Sequence, residues 1–147
     1  MKILVFSTAI AVIVFILFGF RARTTQAKAE EGIQFFTGTW QQAIDKAKKE
    51  NKLIFLDAYA SWCGPCKKMK HNTFTDKAVA DYYNKNFVNV AIDMEKGEGP
   101  VLAEKFSVEA YPTLIYFKSD GKVIAKVTGF RKSKEFLEIG EEVSKAK

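Results

Sequence analysis

The chain is poor in the residues that most metal and disulfide-stapled proteins rely on. Its 147 residues hold two cysteines and one histidine. Two cysteines cannot build a disulfide-stapled scaffold. Cys63, Cys66 and His71 would supply three zinc ligands where a structural site wants four, so no metal is expected. Acidic residues are missing before Glu30, whereas Lys2, Arg21, Arg23 and Lys28 all lie there. The formal charge of +6 is therefore partly a property of the N-terminal stretch; beyond it, 19 basic residues face 17 acidic ones. No basic block is interleaved with aromatics, which excludes a nucleic-acid partner. Internal repeats and low-complexity tracts are absent. Hydrophobic residues are not scarce: they make up 48% of the chain, with 13 Phe. That is enough to fill the core of one domain and excludes a disordered chain.

The two cysteines sit in Trp62-Cys63-Gly64-Pro65-Cys66. A dithiol at this spacing can close to a disulfide and reopen, so it can carry two electrons. The apolar run 53–59 before it reads as a buried strand, and residues 66–71 after it read as the start of a helix. A Cys-X-X-Cys in that setting points to redox chemistry. A permanent structural disulfide is the competing reading, but it would close only a tiny loop and gain little.

Residues 3–20 carry no charge. The run is long for a signal-peptide core and just long enough for a membrane span. Ala27-Lys28-Ala29 offers a small-residue cleavage site, so a cleaved signal and a retained anchor both stay open. Flanking charges do not settle the orientation. A cytosolic dithiol protein needs no such leader, so the domain is expected outside the cytoplasm. No cysteine lies near the leader, which excludes a lipid-modified one. The expected division is 1–29 as signal or anchor plus linker and 30–147 as the domain.

Residues 33–36 suggest a short first strand. Thr39 and Gln42 have the capping-box spacing, and Trp40, Ala43, Ile44 and Ala47 recur at helical spacing, which predicts a helix over 40–50. A strand at 53–59 leads to the dithiol. The dithiol helix is expected to pause near residues 71–73, with Thr75 or Asp76 capping a second helix whose apolar face carries Val79, Tyr82 and Tyr83. Residues 87–92 read as a strand, 97–100 as a loop, 101–106 as a helix, and 113–117 as a strand. The turn at 119–122 predicts a hairpin to a strand at 123–127, broken by Gly129. Ser133 is expected to cap a last helix carrying Phe136, Leu137, Ile139 and Val143. Strands separated by helices imply parallel crossovers, with the hairpin adding an antiparallel pair.

Over residues 36–143 the sequence resembles the thioredoxin-fold family. Trp62-Cys63-Gly64-Pro65-Cys66-Lys67 matches its active-site sequence, Tyr111-Pro112-Thr113 its cis-proline segment, Asp57 its buried acid and Gly129 the glycine after its last strand. Residues 55–63 and 72–79 resemble a narrower group, which includes the periplasmic C-terminal domain of the bacterial transmembrane thiol:disulfide interchange protein. Asn89 departs from the lysine that cytosolic thioredoxins usually carry near the buried acid. The resemblance implies an α/β fold with a central mixed sheet flanked by helices. It implies Cys63 as nucleophile and Cys66 as resolving thiol, with Asp57, whose pKa burial without a partner would raise, accepting the Cys66 proton; an ordinary strand-end Asp that reaches water is the alternative. Pro112 would be cis, although on the residues alone a trans turn proline is the ordinary expectation. Trp62, Gly64, Pro65, Tyr111, Pro112 and Gly129, with Phe130, would border a substrate groove. Simple packing is the alternative for Trp62. Lys67, Lys68, Lys70 and His71 read either as a docking surface or as the solvated face of the helix.

The expected activity is thiol-disulfide exchange in the bacterial periplasm or cell envelope, reducing protein disulfides. Gly-Pro between the cysteines is what reducing thioredoxins carry. The alternatives are an oxidase or isomerase of the same fold, and a binding or assembly module with incidental redox chemistry. No organic cofactor is needed, because the dithiol carries the electrons. The implied partners are protein disulfides and an electron-donor protein, for which a membrane-bound one fits. Membrane contact would run through residues 3–20 if they are retained.

Overall fold

The computed structural model of the protein describes residues 32–145. The expected leader at 3–20 and its cleavage site lie outside the described residues. Among the described residues, no helix is long and apolar enough to cross a membrane.

Helix α1 (Trp40–Glu50) opens with the expected capping box, in which Thr39 and Gln42 satisfy each other's backbone N–H. It buries Trp40, Ala43, Ile44 and Ala47 and ends where Asn51 turns left-handed at φ 51°. Strand β1 (Leu53–Tyr59) is buried along almost its whole length, as befits a central strand covered on both faces. It feeds helix α2 (Gly64–Lys68), which continues into a π-helical run over Met69–Thr73. The expected pause is thus a widening of the helix rather than a break. Asp76, not Thr75, caps helix α3 (Lys77–Asn86), accepting from the Ala78 and Val79 N–H groups. That helix buries Val79, Ala80 and Tyr83, while Tyr82 is only half-buried. Strand β2 (Phe87–Asp93), helix α4 (Gly99–Lys105), strands β3 (Thr113–Phe117) and β4 (Val123–Thr128), and helix α5 (Ser133–Ser144) follow in order among the described residues.

The four strands order as β2-β1-β3-β4. β1 runs parallel to β2, but β3 is antiparallel to β1 and to β4. The expectation of a parallel crossover into β3 is therefore corrected. The connection from Asp93 to Thr113 re-enters the sheet at the end where β2 left, so β3 runs back along β1. Thr113 consequently pairs with Ala58, close to the dithiol. Three smaller corrections follow. Residues 33–36 form a single bridge, Phe35 to Asn89, because that stretch lies along the sheet edge for one residue only. Gly99 and Pro100 belong to α4 rather than to a loop; proline suits a first helical turn because its missing N–H would have no partner there. Ser133 is the first helical residue of α5 and makes no cap; Lys132 holds the cap position.

Side chains alternate between two cores. One face packs Trp40, Ile44, Leu56, Val90, Leu102, Ile115 and Phe117 under α1 and α4. The other packs Phe55, Phe74, Tyr83, Phe87, Tyr116 and Phe136 under α3 and α5. Here Tyr83 stacks on Phe136 with ring centroids 4.3 Å apart. Its hydroxyl donates to the Phe136 carbonyl at 2.8 Å and lies 2.8 Å from the Tyr116 hydroxyl. Tyr83 has one proton to give, so Tyr116 is the donor within the pair.

Candidate active site

The site forms where β1 ends. The Cys63 N–H bonds the Ala60 carbonyl at 3.0 Å, turning the chain into α2. Cys63 is the N-cap of that helix, and its Sγ accepts the Cys66 N–H at 3.1 Å. A sulfur there meets backbone donors that have no helical partner, and such donors favour negative charge. Pro65 sits in the first turn, where its missing N–H costs nothing. Cys63 and Cys66 are joined as a disulfide with an S–S distance of 2.04 Å. They are 2% and 5% exposed, so burial does not separate their roles. Position does: one sulfur caps the helix, and the other lies a turn further in.

The Tyr111–Pro112 bond is cis. The Pro112 carbonyl accepts the Gly129 N–H at 2.8 Å, which ties β4's exit to the proline. Gly129 has φ +94°, a conformation that side-chain-bearing residues rarely adopt. Tyr111 packs against the cluster of Ala60, Cys63 and Cys66. Trp62 is 65% exposed, with its ring 6.0 Å from that of Tyr111. A Cβ placed on Gly64 would meet nothing within 4 Å, so the surface over the disulfide is open there. Trp62, Gly64 and Pro65 flank the cysteines along the chain, and Tyr111, which precedes Pro112, packs against them. Phe130 instead packs partly into the aromatic core, with the Lys68 ammonium 5.0 Å from its ring centroid.

Two residues absent from the sequence reading join this rim. The Trp62 indole N–H donates to Glu95 Oε2 at 2.8 Å, and the Lys96 ammonium donates to Ser61 Oγ at 3.2 Å. Nothing in the sequence distinguishes Glu95 and Lys96 from other loop charges. The Met94 N–H bond to the Tyr59 carbonyl, at 2.8 Å, brings their loop beside the dithiol.

Asp57 lies behind the dithiol, 6% exposed, and its Oδ1 has no hydrogen-bond partner among the described residues. It lines a cavity of about 410 Å³ together with Tyr59, Ser61, Cys66, Lys67 and Lys70. Burial raises its pKa from 3.8 to about 7, and the Lys70 ammonium acts in the opposite direction. Lys67, Lys68, Lys70 and His71 are all exposed.

A mixed sheet that brings a helix-capping dithiol beside a cis proline, with a buried acid behind it, defines a class: thiol-disulfide oxidoreductases of the thioredoxin fold. The chain belongs to the thioredoxin-like domain family, whose model matches residues 40–144. It is 33% identical to thioredoxin H2 of Arabidopsis thaliana, over 84% of this chain and 86% of that one. It is 35% identical to the thiol:disulfide interchange protein DsbD of Yersinia pestis over 63% of its own length, and it spans only 16% of that longer protein. Among solved structures, a candidate disulphide-isomerase from Bacteroides thetaiotaomicron is 40% identical, with a TM-score of 0.71, over 80% of this chain and 97% of that one. The oxidised C-terminal domain of Neisseria meningitidis DsbD is 27% identical, with a TM-score of 0.61, over 75% and 97%. The protein is a thiol-disulfide oxidoreductase that works through Cys63 and Cys66.

Proposed function

We propose that the protein reduces protein disulfides in the bacterial cell envelope. The observation that carries this reading is Cys63 at the N-cap of α2, its sulfur accepting the Cys66 N–H. In the reduced protein the same donor and the helix terminus favour a Cys63 thiolate. That thiolate attacks one sulfur of a target disulfide, and the electron pair of the broken S–S bond leaves on the other. A mixed disulfide results. Cys66 gives its proton to Asp57 and attacks Cys63 Sγ, which releases the second target sulfur as a thiolate. The target gains two electrons, and the protein is left with the Cys63–Cys66 disulfide.

Trp62, Gly64, Pro65, Tyr111, Pro112 and Gly129 receive the target chain. The open surface at Gly64 admits a backbone, and the peptide groups flanking Pro112 offer it extended-chain pairing. The uncharged run at 3–20 and the similarity to DsbD support an envelope location. The oxidised dithiol is then returned by an electron-donor protein, and a membrane-bound donor suits that compartment.

The test is the reduction potential of the Cys63–Cys66 pair, equilibrated against glutathione and dithiothreitol buffers. A value at or below about −250 mV, near that of thioredoxin, is expected for a reductant. A value above about −180 mV overturns the reading. It would make the protein a disulfide donor or isomerase, in keeping with the description of the similar Bacteroides protein.

A further inference from the structure

The cavity behind the dithiol is lined by one acid, Asp57, and by two lysines, Lys67 and Lys70. Lys70 stands four residues after Cys66. On a helix that spacing places two side chains on one face, one above the other. Both line the cavity with Asp57. Among the described residues, Asp57 is the only carboxylate in its lining, and its Oδ1 is without a hydrogen-bond partner.

The groups that the packed elements present to Asp57 are few. β1 brings Tyr59, and β2 brings Ala91, its register partner, and further along the neutral Asn89. β3 brings Leu114 and the Tyr116 hydroxyl, which is engaged with Tyr83. α2 brings Cys66 and Lys67, and the π-helical run brings Lys70. Of the charges among these, Lys70 is the one that lowers the proton affinity of Asp57. Lys70 makes no ion pair with any acid among the described residues, so its charge is not already neutralised.

We propose that Lys70 is a positioning residue of this site: its ammonium, set against Asp57 across the cavity, governs when that carboxyl can take the proton of Cys66. This rests on the role given to Asp57 under the proposed function. In the step concerned, the Cys66 S–H proton passes to the Asp57 carboxylate. The Cys66 sulfur then bonds to Cys63 Sγ, the bond from Cys63 to the target sulfur breaks, and its electron pair leaves on the target. A protonated Asp57 cannot accept that proton. Lys70 keeps the carboxylate populated near neutral pH against the burial that opposes it.

The experiment uses the full chain as wild type, Lys70→Met, Lys70→Arg and Asp57→Asn. The Asp57 carboxyl is titrated by carbon-detected NMR. The resolving step is read by stopped flow as the second phase of thionitrobenzoate release after mixing reduced protein with 5,5′-dithiobis(2-nitrobenzoate). Lys70→Met should raise the Asp57 midpoint by about 0.5–1 pH unit. It should move the pH profile of the second phase by the same amount and slow that phase about threefold at pH 7. Lys70→Arg should restore both. Asp57→Asn should abolish the pH step and, with it, any effect of Lys70→Met. An Asp57 midpoint that Lys70→Met does not move overturns the proposal while leaving the base role of Asp57 standing. A midpoint that moves while the rate profile stays put overturns that base role, and the proposed influence of Lys70 on Cys66 falls with it.

Discussion

Asp57 concentrates the conflict between folding and chemistry in one side chain. It sits in a strand whose neighbours are Leu56 and Ala58, both fully buried. Its pKa is about 7 in the fold against an ordinary 3.8. Between those values the folded protein holds a proton that the unfolded chain has released, so stability falls as pH rises from about 4 to about 7. Below that window the group makes no pH-dependent contribution, and above it the full cost applies. A shift of about three units corresponds to about 4 kcal/mol. Asp57→Asn should therefore stabilise the protein by up to about 4 kcal/mol at pH 8 and by little at pH 4. Denaturant titrations at pH 4, 6 and 8 would check this; an Asn variant of unchanged pH dependence would mean that the carboxyl reaches water. The position of an acid in an apolar strand already implied a raised pKa if it were buried without a partner. How far it rises depends on how completely the aromatic face and α2 close over it.

At the scale of elements, α5 meets α3 through a glycine. A Cβ on Gly140 would lie 2.8 Å from Cε2, Cζ and the hydroxyl of Tyr83. Helix propensity alone would favour alanine there by about 1 kcal/mol. The Tyr83 ring cannot yield easily, because it stacks on Phe136 and its hydroxyl engages Tyr116 and the Phe136 carbonyl. Overpacking of this kind costs about 1–3 kcal/mol, so the clash outweighs the propensity. Gly140→Ala should lower the denaturation midpoint and leave the potential of the dithiol unchanged, since Gly140 lies in α5, outside the site. Both follow from one urea titration and one redox titration. The periodicity of α5 located Phe136 and Val143 in the core, but a glycine offers no hydrophobic signal. Its role exists only because Tyr83 arrives from 57 residues earlier in the chain.

For the whole molecule, the sheet order puts β1 at the centre of both the fold and the chemistry. β1 has a neighbour on each side and a core on each face, whereas β4, among the described residues, pairs only with β3 and is largely half-buried or exposed. Native-state hydrogen exchange should show the amides of β1 exchanging only through global unfolding and those of β4 through local opening at lower free energy. If β4 is protected as strongly as β1, that gradient is absent. The central β1 holds Asp57 and the entrance to Cys63, while the loop at 94–98 carries the Trp62 partner Glu95.

Local signals made much of this legible. The capping box at Thr39, the apolar run of β1 around Asp57, the β-rich run of β3 and the turn before β4 each depend on residues within one element, and each is where the spacing placed it. The Cys-X-X-Cys motif specified the redox pair, since its chemistry needs only two thiols and a helix start between neighbours in sequence. Tertiary structure alone decided the direction of β3, because that depends on the end of the sheet at which the 94–112 connection re-enters. It also decided the contact of Glu95 with Trp62 across 33 residues, and the meeting of Asp57 with Lys70 in one cavity. These depend on which faces pack together, and a linear pattern does not encode the distance between charges that the fold brings from separate elements.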